Sequence, residues 1–257
     1  MPLTYRLLLP LLLLLGLASA SAEVASTAPV YSTTRPSPDG IGKVYMGREI
    51  ARVMSHEGAE WLERDTREAE EAPSKAIRLM GLKPGDVVAD IGAGTGYFSF
   101  RMAAKVPQGK VISEEIDPDM IKDLQATIHK TGIKNVEPVI GTETDPKLPE
   151  GTVDVVLMVD AYHEFDHPRE MMNAIVKALK PGGRVIDLEY RAEDPNVPIK
   201  PHHKMTEVQA TKEMTAVGLV HVKTLHDLPQ QHFMVFQKPA GARETKPSAA
   251  TTSSREQ

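Results

Sequence analysis

Between residues 160 and 168 the chain reads Asp160-Ala161-Tyr162-His163-Glu164-Phe165-Asp166-His167-Pro168, a dense run of proton-transferring and charge-orienting groups. His163 is the residue suited to general base chemistry, because imidazole titrates near neutrality. Tyr162 can orient a bound molecule through its hydroxyl, and Glu164 can fix the imidazole ring. A base helps only where the attacking group must shed a proton, as a hydroxyl or an ammonium does. Bonding of His163 to its own loop is the alternative role for the same side chain.

A second set lies at Asp90-Ile91-Gly92-Ala93-Gly94-Thr95-Gly96-Tyr97. Glycines in alternation let the backbone turn tightly and come close to a ligand. The dinucleotide fingerprint Gly-x-Gly-x-x-Gly does not fit, since the third glycine falls one residue early and Tyr97 takes its place. His163, Glu164 and His167 also spell the His-Glu-x-x-His pattern of zinc proteases, which works only on a helix, where residues four apart share a face. Pro168 disfavours helical geometry at His167, and no third ligand follows at the required spacing. His202 and His203 lie beyond the fifth strand and can approach the same mouth. They complete no set of defined spacing, so no metal is expected.

The elements that must position these groups follow from local pattern. Val87 to Ile91 is apolar enough for a buried strand, and Phe98 to Ala104 continues the glycine turn as a short helix. Gly109 to Ser113 begins a second strand. It ends in Glu114, Glu115 and Asp117, about 20 residues past the glycines, where an acid is placed to accept the hydroxyls of a ribose. Asp117 also caps the helix that Pro118 opens. Val136 to Ile140 is the third strand and Val153 to Asp160 the fourth. Leu179 to Ile186 gives a helix stop, a glycine turn and a fifth strand. The proline-rich stretch from Tyr190 to Lys204 is long enough to be a binding loop, with Arg191 and His203 as readers of an acceptor. Thr206 to Val217 is a helix ended by Gly218, and Leu219 to Leu225 with His232 to Gln237 form two β segments.

Five elements in this order, with the acid-x-Gly-x-Gly-x-Gly turn at their head, resemble the class I S-adenosylmethionine-dependent methyltransferases over about Lys75 to Lys238. The resemblance implies an α/β fold: a Rossmann-like doubly wound seven-stranded sheet, mostly parallel, with a C-terminal antiparallel hairpin and N-terminal helices before it. It implies S-adenosyl-L-methionine as cofactor, with Asp90, Gly92, Gly94 and Gly96 in the first motif. Glu115 then takes the ribose, Thr142 lies at the adenine loop with Glu143 and Asp145 competing as its acid, and Asp160 lies at the end of the fourth strand. The 160–168 loop should face the sulfonium methyl, with His163, Tyr162 and Glu164 as the catalytic set. Good alignment in such a displacement contributes about 7–11 kcal/mol.

The acceptor expected is a small molecule. Protein-L-isoaspartate O-methyltransferase also resembles the first motif and its flanks. The serine-rich segment of that family is absent here, where Arg64 to Arg78 is acidic and helical, so protein carboxyl methylation stands second. A non-catalytic cofactor-binding module of the same fold is the reading outside enzymes. A formal net charge of -5 without a basic run argues against a nucleic-acid partner. The chain has no cysteine, which excludes disulfides and a lipidated cysteine.

The 257 residues divide into four expected parts. Residues 1–22 read as a signal peptide, with a leucine-rich run from Leu7 to Leu17 and small residues for cleavage after Ala20 or Ala22. The run is too short to span a bilayer, so the mature chain is expected to be exported without a stable membrane span; an uncleaved N-terminal anchor is the alternative. Residues 23–41 read as a Ser/Thr/Pro-rich linker, and 42–238 as the methyltransferase domain, whose segment 42–82 is helical and covers the cofactor mouth. Residues 239–257 read as a disordered tail. Within 42–82, Trp61 reads as a core anchor before a pocket wall, and the charges from Glu63 to Glu71 as a solvated helix face.

Overall fold

The computed structural model describes residues 30–241. The expected signal peptide, residues 23–29 of the expected linker and residues 242–257 of the expected tail lie outside the described residues. Among those described, no helix is long and apolar enough to cross a membrane.

The central sheet is built from β4 (Val87–Ile91), β5 (Lys110–Glu115), β6 (Val136–Ile140), β7 (Val153–Val159), β8 (Leu179–Tyr190), β9 (Val220–Leu225) and β10 (Gln231–Gln237). A separate N-terminal sheet holds β1 (Tyr31–Thr33), β2 (Gly40–Tyr45) and β3 (Arg48–Ala51). The strand order is β6-β5-β4-β7-β8-β10-β9. β4 to β8 pair in parallel, and β10 runs antiparallel to both β8 and β9. This is the expected seven-stranded sheet with its C-terminal hairpin.

Strand residues alternate between two cores, as a pleat of period two requires. Val88, Val111, Val155 and Leu157 face one cluster with α3 (Pro73–Met80), α4 (Tyr97–Ala103) and α5 (Pro118–Thr131). Ala89, Ile91, Val156 and Met158 face the other, with α6 (Pro168–Ala178) and α7 (Glu207–Ala216). Because both faces are covered, β4 and β7 are apolar apart from Asp90 and Asp154. The order reverses between β4 and β7, which opens a crevice beyond their carboxyl ends.

The N-terminal part departs from expectation. Residues 31–51, expected as the end of a linker and the start of a helical segment, form a three-stranded antiparallel sheet of β1 (Tyr31–Thr33), β2 (Gly40–Tyr45) and β3 (Arg48–Ala51). The β2–β3 turn carries Met46 at φ 49° and Gly47 at φ 104°. Positive φ at both central residues matches the twist of a hairpin. Helices begin only afterwards, with α1 (Ala59–Leu62) and α2 (Arg67–Glu71).

Candidate active site

The glycine turn between β4 and α4 is set by backbone conformation. Gly92, Gly94 and Gly96 all have positive φ, at 69°, 55° and 88°. Gly92 and Gly94 line a cavity of about 1130 Å3 at the crevice. Gly96 does not line it: a Cβ there would come within 2.6 Å of the Phe100 ring, so this glycine serves helix packing. Asp90 is likewise absent from the wall. It is buried and accepts a 2.6 Å hydrogen bond from Ser99 Oγ, tying β4 to α4. Burial raises its carboxyl to about 6.

Glu115, at the end of β5, lines the cavity. Its Oε2 accepts from the Gly94 amide at 2.8 Å, and its Oε1 from the amides of Ile116 and Asp117 at 2.8 and 3.0 Å. The carboxylate thus pins the glycine turn while standing at the position expected for the ribose acid. Its neighbour Glu114 also reaches the cavity, and burial followed by the charge of Glu115 pushes it up to about 8. Thr142 and Glu143 stand at the exposed rim beyond β6.

Asp160, just past β7, holds a left-handed φ of 50° and lines the cavity. Gln231 Nε2 donates to its Oδ2 at 2.6 Å, whereas Oδ1 is buried without a partner. Burial, then the charges of Glu71 and Glu189, raises this carboxyl well above its ordinary range. A ligand carrying a donor, such as an ammonium group, would satisfy Oδ1. Together with the glycine turn and Glu115, that orphaned oxygen fits the amino-acid and nucleoside ends of S-adenosylmethionine.

The three catalytic candidates separate. Tyr162 does not reach the cavity; its hydroxyl donates to Glu213 Oε2 at 2.8 Å within the core. His163 does reach it, 2% exposed. The carboxylate that fixes its ring is Glu189 rather than Glu164: Nδ1 lies 2.6 Å from Glu189 Oε2. Burial lowers the imidazole, keeping it neutral at ordinary pH and away from the near-neutral titration expected of it. Glu164 faces the other side of the ring, where its Oε1 lies 3.9 Å from His163 Nε2 and 3.2 Å from His203 Nδ1. His167 is set apart beside Asp166, 3.0 Å away.

Two further expectations are corrected. Trp61 is 48% exposed and lines the cavity instead of anchoring the core. The run from Glu63 to Glu71 is not a uniformly solvated face. Arg67 and Glu71 are buried, line the cavity and pair at 2.8 Å, with Tyr190 donating to Glu71 Oε1 at 2.6 Å. The i,i+4 spacing of Arg67 and Glu71 was the available signal.

Residues 88–183 match the family model of a methyltransferase domain. That stretch holds β4 to the start of β8, including the glycine turn, Glu115 and His163. That stretch is similar to methyltransferase domains, in keeping with the resemblance the glycine turn carries. Among curated relatives of the domain is the ubiquinone/menaquinone biosynthesis C-methyltransferase UbiE of Ectopseudomonas mendocina. It is 31% identical over 116 residues, 44% of this chain and 45% of that protein. The protein-L-isoaspartate O-methyltransferase of Pyrococcus horikoshii is 27% identical over 43% of this chain and 47% of its own length. The chain thus spans about half the length of these relatives. A solved S-adenosylmethionine-dependent methyltransferase from Aquifex aeolicus shares the fold with a TM-score of 0.68, at 22% identity, over 72% of this chain and 99% of that one.

Proposed function

We propose that the chain transfers a methyl group from S-adenosylmethionine to a small molecule bound in the same cavity. The observation that carries this reading is the continuity of the cavity. One cavity is lined by Gly94, Glu115 and Asp160 and also by Ile41 and Lys43 of β2 and Pro198 and Ile199 of the loop after β8. Its volume exceeds that of an ordinary single-ligand pocket of about 300–1,000 Å3, which leaves room for an acceptor.

When bound, the cofactor supplies an electrophilic methyl on a sulfonium centre. Glu115 would hold the ribose hydroxyls, Thr142 and Glu143 would border the adenine, and Asp160 would receive the ammonium. The protein's chief contribution is alignment and exclusion of water. His163, its ring anchored by Glu189, lines the cavity with Nε2 beside His203. The likeness to the Pyrococcus enzyme supports a second reading, methylation of a protein carboxyl group.

Calorimetry with Glu115→Ala tests the cofactor placement. Loss of charge-assisted hydrogen bonds should weaken S-adenosylmethionine and S-adenosylhomocysteine alike, by about 1.5–3 kcal/mol. Unchanged affinity would remove Glu115 from the site. Incubating the full chain with labelled methyl donor and a cell extract separates the acceptors, because label in the protein fraction alone would favour the second reading.

A further inference from the structure

We propose that His163, Glu164 and His203 form a binding site for a divalent transition-metal ion, with an open coordination position facing the cavity. Three donor atoms converge there. His163 Nε2 and His203 Nδ1 are 3.2 Å apart, His203 Nδ1 and Glu164 Oε1 are 3.2 Å apart, and the third side of the triangle is 3.9 Å. Ligands on a tetrahedral ion at about 2.0–2.1 Å stand roughly 3.4 Å from one another. The triangle therefore already has the size of one face of such a polyhedron.

The three atoms also meet edge to edge, with His203 Nδ1 between the other two. His163 Nδ1 is committed to Glu189, which leaves Nε2 as the ring nitrogen beside His203 and Glu164. His203 Nδ1 carries at most one hydrogen, which must serve both His163 Nε2 and a carboxylate oxygen. A cation at the centre of the triangle would satisfy all three atoms at once.

The surrounding groups are those that hold metal ligands in place. A buried carboxylate behind a histidine fixes its tautomer and raises its basicity toward a metal, and Glu189 is fully buried in that position. The Met54 amide donates to Glu164 Oε2 at 3.2 Å, which turns Oε1 inward. Arg48 Nη1 donates to the His163 carbonyl at 3.0 Å and steadies the turn that carries two of the ligands. All three ligands line the cavity, so the fourth position of the ion would hold water or an oxygen of a bound molecule. Two imidazoles and a carboxylate suit zinc, iron(II) or cobalt(II). The site also shows what became of the His-Glu-x-x-His pattern. Its first two residues serve, but His203, 40 residues beyond His163, replaces His167.

Two other His-containing clusters among the described residues, Glu207 with His226 and His232 and Glu143 with Asp166 and His167, provide the controls. The experiment uses the full chain, with any affinity tag removed, stripped by a chelator and titrated with Zn2+ against a chromophoric competitor. Wild type and His226→Ala should both show one tight site. His203→Ala and Glu164→Gln should lose it, and Glu189→Gln should weaken it about 10–100-fold. With Co2+, the tight site should give the intense visible bands of a four-coordinate ion. Circular dichroism and S-adenosylmethionine calorimetry on each variant show that it is folded. Zn2+ bound equally by wild type, His203→Ala and Glu164→Gln overturns the site, as does a wild type that binds none. Metal bound as expected by a chain without affinity for S-adenosylmethionine would uphold the site and overturn the cofactor reading instead.

Discussion

Glu114 and Glu115 show how two identical neighbours acquire different chemistry. Glu115 is held by three backbone amides, whereas Glu114 receives one long contact from the Gly92 amide at 3.4 Å. Glu114 can occupy its place only because Gly141 has no side chain, since a Cβ there would lie 1.7 Å from Oε1. The folded carboxyl titrates at about 8 against an ordinary 4.5, with burial as the main cause. Between those values the unfolded chain has released its proton and the folded chain has not. Stability must therefore fall as pH rises through this window and level off above it. Glu114→Gln should remove that slope. Its advantage over wild type in urea denaturation should grow between about pH 5 and pH 8 by up to about 1.4 kcal/mol per pH unit. A difference that stays constant with pH would show that Glu114 is ionised in the folded protein.

At the scale of elements, Arg48 joins the N-terminal sheet to the active-site turn and to α7. Its Nε and Nη2 donate to Glu213 Oε1 and Oε2 at 2.7 and 3.0 Å, while Nη1 donates to the His163 carbonyl. Tyr162 and Gln209 donate to the same carboxylate at 2.8 and 2.7 Å. Tyr162 is thus a structural strut, which explains its absence from the cavity. Glu213 is fully buried, so Arg48→Met leaves an uncompensated charge and should cost about 3–5 kcal/mol. Adding Glu213→Leu should recover most of that loss, since apolar replacements of whole buried pairs are often nearly neutral. A urea midpoint unmoved in Arg48→Met would mean that the clamp contributes nothing to stability.

At the scale of the whole molecule, the cavity is assembled from parts that no single segment contains. The sheet supplies its floor, and α1, the N-terminal sheet and the loop after β8 supply its walls. Trp61, the chain's only tryptophan, stands in the α1 wall with the Arg64 guanidinium 3.8 Å from its ring centroid. S-adenosylmethionine should therefore change the tryptophan emission with the same saturation curve as calorimetry. The change should vanish in Trp61→Phe with binding retained. An unchanged spectrum at saturation would place Trp61 away from the bound molecule.

The sequence by itself determined what depends on near neighbours. Asp117 was legible as a cap and accepts from the Asp119 amide, and Thr206 caps α7 by accepting from the Gln209 amide. The glycine turn, the apolar strands and the acids closing β5 were equally plain, because turn geometry, strand pleating and capping act over a few residues. The β2–β3 hairpin left a signal in Met46-Gly47, but the spacing of Ile50, Val53 and Met54 also suits a helix, and only the pairing of β3 with β2 settles the competition. The partners of the active-site side chains lay beyond local reach. Glu189 finds His163 across 26 residues, His203 across 40, and Arg48 meets Glu213 across 165. The first two of those distances are closed by strand order in the central sheet. It sets β8 beside β7, so that Glu189 lies behind the turn bearing His163 and the loop that follows carries His203 to its open edge.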